Sequence, residues 1–187
     1  MTRFAMLFLT LFLAACGNGP DERPPAALEP TSGTKGFYCG MTLAEHPGPK
    51  GQIHVAGEAA PLWFSSIRDA LAYLQLEGAT RRIRAFYVHD MGRADWQTPQ
   101  AGTWIDAKEA YFVLGSRREG GMGGAEVVPF GEKSKAEAFT AGFGGRVLDY
   151  ASVGKEEMFP AKGDVGGNCF GSAHAKNQLW AFMLDKR

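Results

Sequence analysis

The sequence predicts an α+β fold built from two similar strand–strand–helix–strand halves, residues 37–88 and 110–150. Each half contains short apolar runs typical of strands, one segment with apolar residues at helical spacing, and turns rich in Gly or Pro. These signals follow one another in the same order in both halves. We therefore expect tandem ββαβ units, the first over residues 35–100 and the second over residues 101–150.

The first fifteen residues are predicted to be a leader and not part of the fold. Arg3 precedes an apolar run over residues 4–13, which is too short to cross a bilayer as a helix. The run ends in Leu-Ala-Ala-Cys, which resembles a bacterial lipobox, so Cys16 is the predicted acylation site and mature N-terminus. The alternative is a plain secretory signal with an incidental cysteine. A lipoprotein of the periplasm is the expectation, with the inner or outer membrane left open.

A flexible tether is predicted after the leader. Residues 17–34 are rich in Pro, Gly and polar side chains without periodicity, which predicts a flexible linker between lipid and domain.

The whole chain has 20 basic and 20 acidic side chains, and the leader contributes only Arg3 to this balance. A net charge near zero argues against a nucleic-acid partner. Membrane attachment then depends on acyl chains and not on a basic patch.

The first unit is predicted to open with a hairpin. Residues 37–41 and 52–55 are the two strands, joined by a stiff Pro-Gly-Pro-Lys-Gly turn. A helix follows, opened by a Ser-x-x-Asp capping box at 66–69 and ended by Gly78. Residues 83–88, rich in β-branched and aromatic side chains, are the last strand of this unit.

The second unit repeats these signals. Its first two strands are predicted at 110–114 and 126–130, with a Gly-rich loop over 120–124 between them. A Ser-x-x-Glu capping box opens a helix over 134–143, two glycines end it, and residues 146–150 form the closing strand.

A soft-metal site is predicted within the first hairpin. In extended backbone Cys39 and Met41, two residues apart, point to one face, and Gly40 leaves the chain free to bend between them. A thiolate with a thioether selects Cu(I). The turn that follows carries His46 as a further candidate ligand. The alternative is ordinary packing, because Cys and Met are both common core residues.

Two further groups are candidates for the same chemistry. Met122 lies between glycines in the first loop of the second unit, where His46 lies in the first, so a copper ion could bridge the two halves through this loop. The alternative is a mobile surface methionine. His89 and Met91 repeat the two-residue spacing at the exit of a strand, and imidazole also accommodates copper. The alternative there is a solvated histidine beside a core methionine.

The extension over residues 151–187 has no assigned role. Cys169 and His174 are a second soft pair of candidate ligands. Alternatively Cys169 pairs with Cys39 in a disulfide, since the compartment is oxidising, and the copper thiolate would then be lost. His54, which alternates with Ile and Val, is predicted to face solvent.

Several segments, in this order along the chain, resemble the nitrous oxide reductase accessory lipoproteins (NosL). They are residues 39–53, 86–91, 104–107, 111–116, 122–123 and 128–130. The resemblance implies a Cu(I)-binding chaperone for the copper-sulfide centre of nitrous oxide reductase, and an ABC-type membrane partner with a periplasmic subunit. It also implies two ββαβ units. The ligands of the family's Cys-x-Met motif correspond to Cys39 and Met41, and the methionine of its Gly-rich loop corresponds to Met122.

No catalytic arrangement is recognisable in the sequence. Neither a Ser/His/Asp nor a Cys/His set can be placed, so we expect a binding protein and not an enzyme. Two alternatives stay open, a thiol-dependent lyase or oxidoreductase on the same fold, and a lipoprotein that only docks a complex. Fold alone does not decide between them.

Overall fold

The computed structural model of the protein describes residues 23–75 and 82–153, and the predicted α+β class is confirmed. Two antiparallel sheets are present, with strand orders β2-β1-β3-β4 and β6-β5-β7. In chain order the elements are β1 Gly51–Val55, β2 Leu62–Phe64, α1 Ile67–Leu74, β3 Ile83–His89, β4 Trp104–Asp106, β5 Tyr111–Leu114, β6 Val128–Phe130, α2 Lys133–Phe143 and β7 Arg146–Asp149. None of the helices in these ranges has the length and apolar character needed to span a bilayer.

The strand pairing has the same plan in both sheets. The first strand is central in each, and it pairs antiparallel with the strand that follows it and with the strand beyond the helix. The first sheet has an additional edge strand, β4, in which Trp104 pairs with His89 of β3. β4 lies within the range predicted for the second unit, so the first sheet extends beyond residue 100.

One large hydrophobic core joins the two halves. Ile53 and Phe86 of the first sheet lie in the same buried cluster as Phe112 and Leu114 of β5. Val113, between the last two, points to the opposite face of β5, where it packs in a smaller cluster that includes residues of β6 and α2. β5, the central strand of the second sheet, is thus buried on both faces. Each half therefore buries apolar side chains against the other, and this shared burial stabilises both.

The predicted strand over residues 37–41 is wrong, because this segment is a tight turn. The amide of Gly36 donates to the carbonyl oxygen of Met41 at 2.9 Å, and the amide of Gly40 donates to that of Gly36 at 2.8 Å. Gly40 has φ +65°, which favours glycine. Phe37 packs on the core from within this turn. The apolar side chain was therefore interpreted as part of a buried strand.

The predicted hairpin between residues 37–41 and 52–55 is also wrong, because the first of these segments is not a strand. β1 corresponds to the second predicted strand, but its partners are β2 and β3. Three-residue strands such as β2 and β4 are too short to leave a periodic signal.

Neither predicted capping box forms. The hydroxyl of Ser66 donates to Glu126 Oε1 at 3.1 Å and makes no cap bond to its own helix. α2 begins at Lys133, which leaves Ser134 inside its first turn. α1 ends at Leu74, and the predicted stop at Gly78 lies outside the described residues.

Candidate metal centre

The turn over residues 36–41 presents the thiol of Cys39 beside a serine hydroxyl. Cys39 Sγ and Ser65 Oγ are 3.0 Å apart, and Ser65 is buried in the segment that leads into α1. Gly36 makes this approach possible, since a Cβ on it would lie 2.6 Å from the sulfur and 2.7 Å from the hydroxyl oxygen. Among the described cysteines Cys39 is a free, half-buried thiol. Its sulfur is therefore held in place without being sealed from solvent.

The two predicted methionine ligands lie on the surface. Met41 is 40% exposed and Met122 is 39% exposed, and only Leu28 joins them as an exposed large apolar side chain in the described part of the chain. Apolar side chains of this size are normally buried. Because residues 36–41 form a turn, the extended-strand argument for placing Cys39 and Met41 on one face does not apply. The turn itself, closed by the Lys35–Thr42 bridge, keeps them in one short segment.

Met122 lies at the tip of an internally hydrogen-bonded loop. A bridge between Glu119 and Ala125 closes the loop, and the amide of Gly120 donates to the carbonyl oxygen of Gly124 at 3.0 Å. Gly123 and Gly124 both have positive φ values, which explains the need for glycine. The Gly-rich composition therefore specifies a turn with a fixed shape that carries an exposed thioether.

His46 fastens the first half of the chain to this loop. Its Nδ1 donates to the carbonyl oxygen of Gly121 at 3.1 Å. Because a carbonyl oxygen only accepts, Nδ1 carries a proton, and Nε2 is the nitrogen that has a lone pair in the neutral ring. Nε2 is buried and has no hydrogen-bond partner among the described residues. Any metal bound by His46 must be bound through Nε2.

A buried carboxylate lies between the cysteine turn and the methionine loop. Glu126 Oε1 accepts from the hydroxyl of Ser66 at 3.1 Å, and from the amides of Arg68 and Val127 at 3.3 and 2.9 Å. Burial raises the pKa of Glu126 to about 7, although these hydrogen bonds oppose the shift. A Cβ on Gly120 would lie 2.5 Å from Glu126 Oε2. Since Ser66 follows Ser65, the start of α1 contacts the Cys39 turn directly and is linked to the Met122 loop through Glu126.

A second cluster of polar groups lies behind His46. Lys50 is buried, and its Nζ donates to the carbonyl oxygens of Gly48 and Pro47 at 2.6 and 3.3 Å. Burial lowers the pKa of Lys50 to about 8, against an opposing effect of the Glu126 carboxylate. His89 is also buried, and burial together with the Lys50 charge lowers its pKa to about 3. His89 is therefore neutral at physiological pH.

His89 and Met91 are not brought together. His89 lies against Trp104 with ring centroids 3.8 Å apart, whereas Met91 packs against the core of the second sheet. His54, predicted to face solvent, is buried, and its Nε2 lies 3.1 Å from Gln52 Oε1. That prediction is wrong because β1 is the central strand of its sheet and is buried along its whole length. Cys16, Cys169 and His174 lie outside the described residues.

Some groups around the site were not recognised from the sequence. These groups are Ser65, Gly36 and Glu126, which lie around the Cys39 turn and the start of α1. None of them forms a recognisable sequence motif with Cys39. The one nearby signal in the sequence was the Ser-x-x-Asp pattern at 66–69, which was interpreted as a capping box. Across the described residues no three His, Cys, Asp or Glu side chains are grouped so that they could hold a metal ion. Cys39 is therefore not part of a group of three such ligands, and the methionines and an isolated imidazole are the further soft candidates.

Comparison with known proteins gives the family. The family model described as NosL matches residues 27–158. A copper-binding lipoprotein NosL of Achromobacter cycloclastes is 42% identical over 153 residues, covering 81% of this chain and 79% of the relative. The chain belongs to the NosL family. A second relative with the same description, from Stutzerimonas stutzeri, is 35% identical over 152 residues, covering 79% of this chain and 78% of the relative.

A solved NosL structure agrees with the fold. The crystal structure of the copper chaperone NosL from Shewanella denitrificans superposes with a TM-score of 0.67 at 32% sequence identity. The match covers 71% of this chain and 98% of that one. The names of these NosL relatives describe copper-binding proteins and not enzymes.

Proposed function

We propose that this chain is a lipid-anchored copper chaperone of the periplasm, which carries Cu(I) to the assembly of the copper-sulfide centre of nitrous oxide reductase. One observation carries the proposal. The two methionines predicted as ligands are exposed. Met41 lies in the turn that holds the Cys39 thiol against Ser65, and Met122 lies in the loop next to Glu126, the carboxyl that accepts a hydrogen bond from Ser66. Exposed thioethers beside a free thiol are a soft ligand set that favours Cu(I).

The proposed ligands are Cys39, Met41 and Met122. The thiolate supplies most of the affinity, and because it must lose its proton to bind, affinity rises with pH. The thioethers are neutral and need no deprotonation. His46 was predicted as a further ligand, and it contributes to this site by fastening the Met122 loop through Nδ1.

This arrangement suits transfer better than storage. A chaperone must release its ion to a partner, and release is fastest when a partner ligand binds before the old ligands leave. Exposed methionines allow a partner's side chain to enter the coordination shell from solvent, while the half-buried thiol keeps the ion attached. The proposed partners are the nitrous oxide reductase maturation machinery, including an ABC-type transporter with a periplasmic subunit.

The alternative of a thiol enzyme lacks support at Cys39. Its sulfur contacts the hydroxyl of Ser65, and a serine hydroxyl is too weak a base to activate a thiol. No described histidine, carboxylate or lysine makes a hydrogen bond to Cys39 in the ranges 23–75 and 82–153. A docking lipoprotein that binds no metal is distinguished by copper titration, in which it would bind no ion.

The test combines metal binding with maturation in the cell. We expect X-ray absorption of the reduced, copper-loaded protein to show a sulfur-dominated site that loses a sulfur in Cys39→Ser. In a denitrifying strain that lacks the protein, Cys39→Ser should leave nitrous oxide reductase deficient in copper, whereas Cys169→Ser should restore it. Fully copper-loaded reductase in the strain that lacks the protein would overturn the delivery function.

A further inference from the structure

Residues 23–30, which belong to the range predicted as a tether, form a strap across the face of the first sheet that is turned away from the core. The amide group of the fully buried Gln52 pairs with both main-chain groups of Leu28. Gln52 Oε1 accepts from the Leu28 amide at 2.8 Å, and Nε2 donates to the Leu28 carbonyl oxygen at 2.9 Å. The hydroxyl of Tyr87 donates to the carbonyl oxygen of Pro25 at 2.8 Å.

Both ends of the strap are bonded as well. At its start, Arg84 Nη2 donates to the carbonyl oxygen of Arg23 at 3.1 Å. Near its end, the carboxylate of Glu29 accepts from the amide of Gly102 at 2.9 Å and from Nε1 of Trp104 at 3.1 Å. These contacts are made by main-chain groups of the strap and by one carboxylate, so they do not depend on burying apolar side chains.

The sequence of the strap favours an extended conformation. Arg-Pro-Pro-Ala-Ala-Leu-Glu-Pro contains three prolines in eight residues. Proline fixes its own φ at about −65° and restricts the residue before it to extended backbone. The strap therefore loses less conformational entropy on binding than a Gly/Ser linker of equal length would lose.

The strap runs along the sheet from one end of β3 to the other. Arg23 is bonded near the start of β3, through Arg84. The last contacts of the strap are with β4, where Trp104 pairs with His89, the final residue of β3. Along an antiparallel strand, Arg84 and His89 are about 17 Å apart. The chain therefore enters the strap at the end of the sheet that is remote from His89.

The Cys39 turn lies at the His89 end of the sheet. Gly51, the first residue of β1, pairs with Phe64 on one side and with the penultimate residue of β3 on the other. Ser65 follows Phe64, and its hydroxyl lies 3.0 Å from the sulfur of Cys39.

The Met122 loop lies at the same end. It packs on the segment that leads into β1, where His46 Nδ1 donates to the carbonyl oxygen of Gly121. That segment also contacts the end of β3, since the amide of His89 donates to the carbonyl oxygen of Lys50 at 3.2 Å. Both elements that carry the proposed copper ligands are therefore remote from the start of the strap.

We propose that the strap moves the membrane attachment to the end of the domain opposite the Cys39 turn and the Met122 loop, so that these elements face a periplasmic partner and not the bilayer. Without the strap, the chain would leave the domain at Thr34, two residues before the Cys39 turn. With it, only seven residue steps separate Cys16 from Arg23, a reach of at most about 25 Å compared with about 65 Å up to Thr34. The inference rests on the lipid anchor of the proposed function.

Paramagnetic broadening from the membrane tests the orientation. The full lipoprotein is placed in phospholipid nanodiscs that contain a Gd³⁺-chelating lipid, and signal intensities are read at arginine amides and methionine methyl groups. We expect the signals of Arg23 and Arg84 to lose most of their intensity, while the methyl groups of Met41 and Met122 keep most of theirs. Equal broadening at both ends would overturn the orientation and leave the copper chemistry of the proposed function intact.

A variant that frees the strap tests whether the strap causes the orientation. Leu28→Pro/Glu29→Ala removes the amide bound by Gln52 and the carboxylate bound by Trp104, at two exposed positions. We expect the two methionine methyl groups to become strongly broadened in the nanodiscs. Leu28→Ala/Glu29→Gln keeps the amide and a side-chain acceptor, so this matched control should behave as wild type. Unchanged methyl intensities in Leu28→Pro/Glu29→Ala would overturn the role of the strap.

Hydrogen exchange on the unmutated lipoprotein in detergent tests the strap by itself. We expect the amide of Leu28 to exchange roughly tenfold more slowly than in an unstructured peptide, because Gln52 binds it. Exchange at the unprotected rate would overturn the inference alone, provided that mass spectrometry finds lipid on Cys16. A protein without lipid on Cys16 would overturn the lipid anchor of the proposed function and this orientation with it.

Discussion

A 3.1 Å hydrogen bond joins His46 Nδ1 to the carbonyl oxygen of Gly121, residues that are 75 positions apart in the chain. It fixes the Gly-rich loop against the segment before β1. Gly121 also packs so closely on that segment that a Cβ on it would lie 2.5 Å from the carbonyl oxygen of Pro47. The loop that carries Met122 is thus anchored at its base, and the position of the thioether depends on a contact between the two halves.

Gly121→Ala should displace the methionine loop. The added methyl group meets backbone at Pro47, which cannot move as a side chain can, and overpacking of this kind costs about 1–3 kcal/mol. We expect a lower free energy of unfolding and a weaker copper site, measured by urea titration and Cu(I) competition. Gly33→Ala is the control, because nothing lies within 4 Å of its Cβ position. Equal behaviour of the two variants would contradict the anchored loop.

Cys39→Ser should abolish most of the copper affinity. The substitution keeps the hydrogen bond to Ser65 within reach but replaces a soft thiolate with a hard hydroxyl. We expect at least a hundredfold loss, which corresponds to about 3 kcal/mol. Chelator competition on the reduced protein measures it, with Cys169→Ser as the comparison. Equal losses in both variants, or a Cys39–Cys169 disulfide in protein isolated from the periplasm, would refute the assignment.

Replacing either exposed methionine should change Cu(I) coordination and have little effect on folding. Met41→Leu and Met122→Leu roughly preserve volume while removing sulfur, and both side chains are about 40% exposed, so folding should hardly change. We expect each variant to bind Cu(I) modestly more weakly, with one sulfur fewer in X-ray absorption. Met91→Leu, at a methionine that packs on the core, is the control and should leave binding unchanged. An unaltered sulfur count in Met122→Leu would remove that residue from the site.

Features that depend on local sequence patterns could be predicted, whereas features that depend on contacts between distant residues could not. α1 was predicted from its local apolar periodicity and β3 from its local β-branched and aromatic composition. Cys39 and Met122 were predicted as ligands from soft-metal chemistry, and these stay predictions. The turn at 36–41 was mistaken for a strand because burial of Phe37 comes from tertiary packing. Contacts such as Ser66 with Glu126, sixty residues apart, leave no local pattern at all.

Glu126 should make stability depend on pH. Burial raises its pKa from the ordinary value of 4.5 to about 7, so the folded carboxyl keeps a proton that the unfolded chain has lost between these two pH values. The folded state then binds more protons, and the free energy of unfolding falls as pH rises through this window. Below pH 4.5 the group has no such effect, and above pH 7 the loss is complete. Because a tenfold change in proton affinity corresponds to about 1.4 kcal/mol, the full loss is about 3 kcal/mol.

Glu126→Gln isolates this effect. The amide oxygen can still accept from Ser66, Arg68 and Val127, while the side chain no longer titrates. We expect wild type to lose about 2 kcal/mol relative to the variant between pH 5 and pH 7.5 in urea denaturation. His89, whose lowered pKa makes acid destabilising, is present in both proteins and cancels in the difference. Glu137→Gln, at an exposed position on α2, is the control for loss of a carboxylate. Parallel pH profiles for wild type and Glu126→Gln would mean that the buried carboxyl is ionised in the folded protein throughout this range.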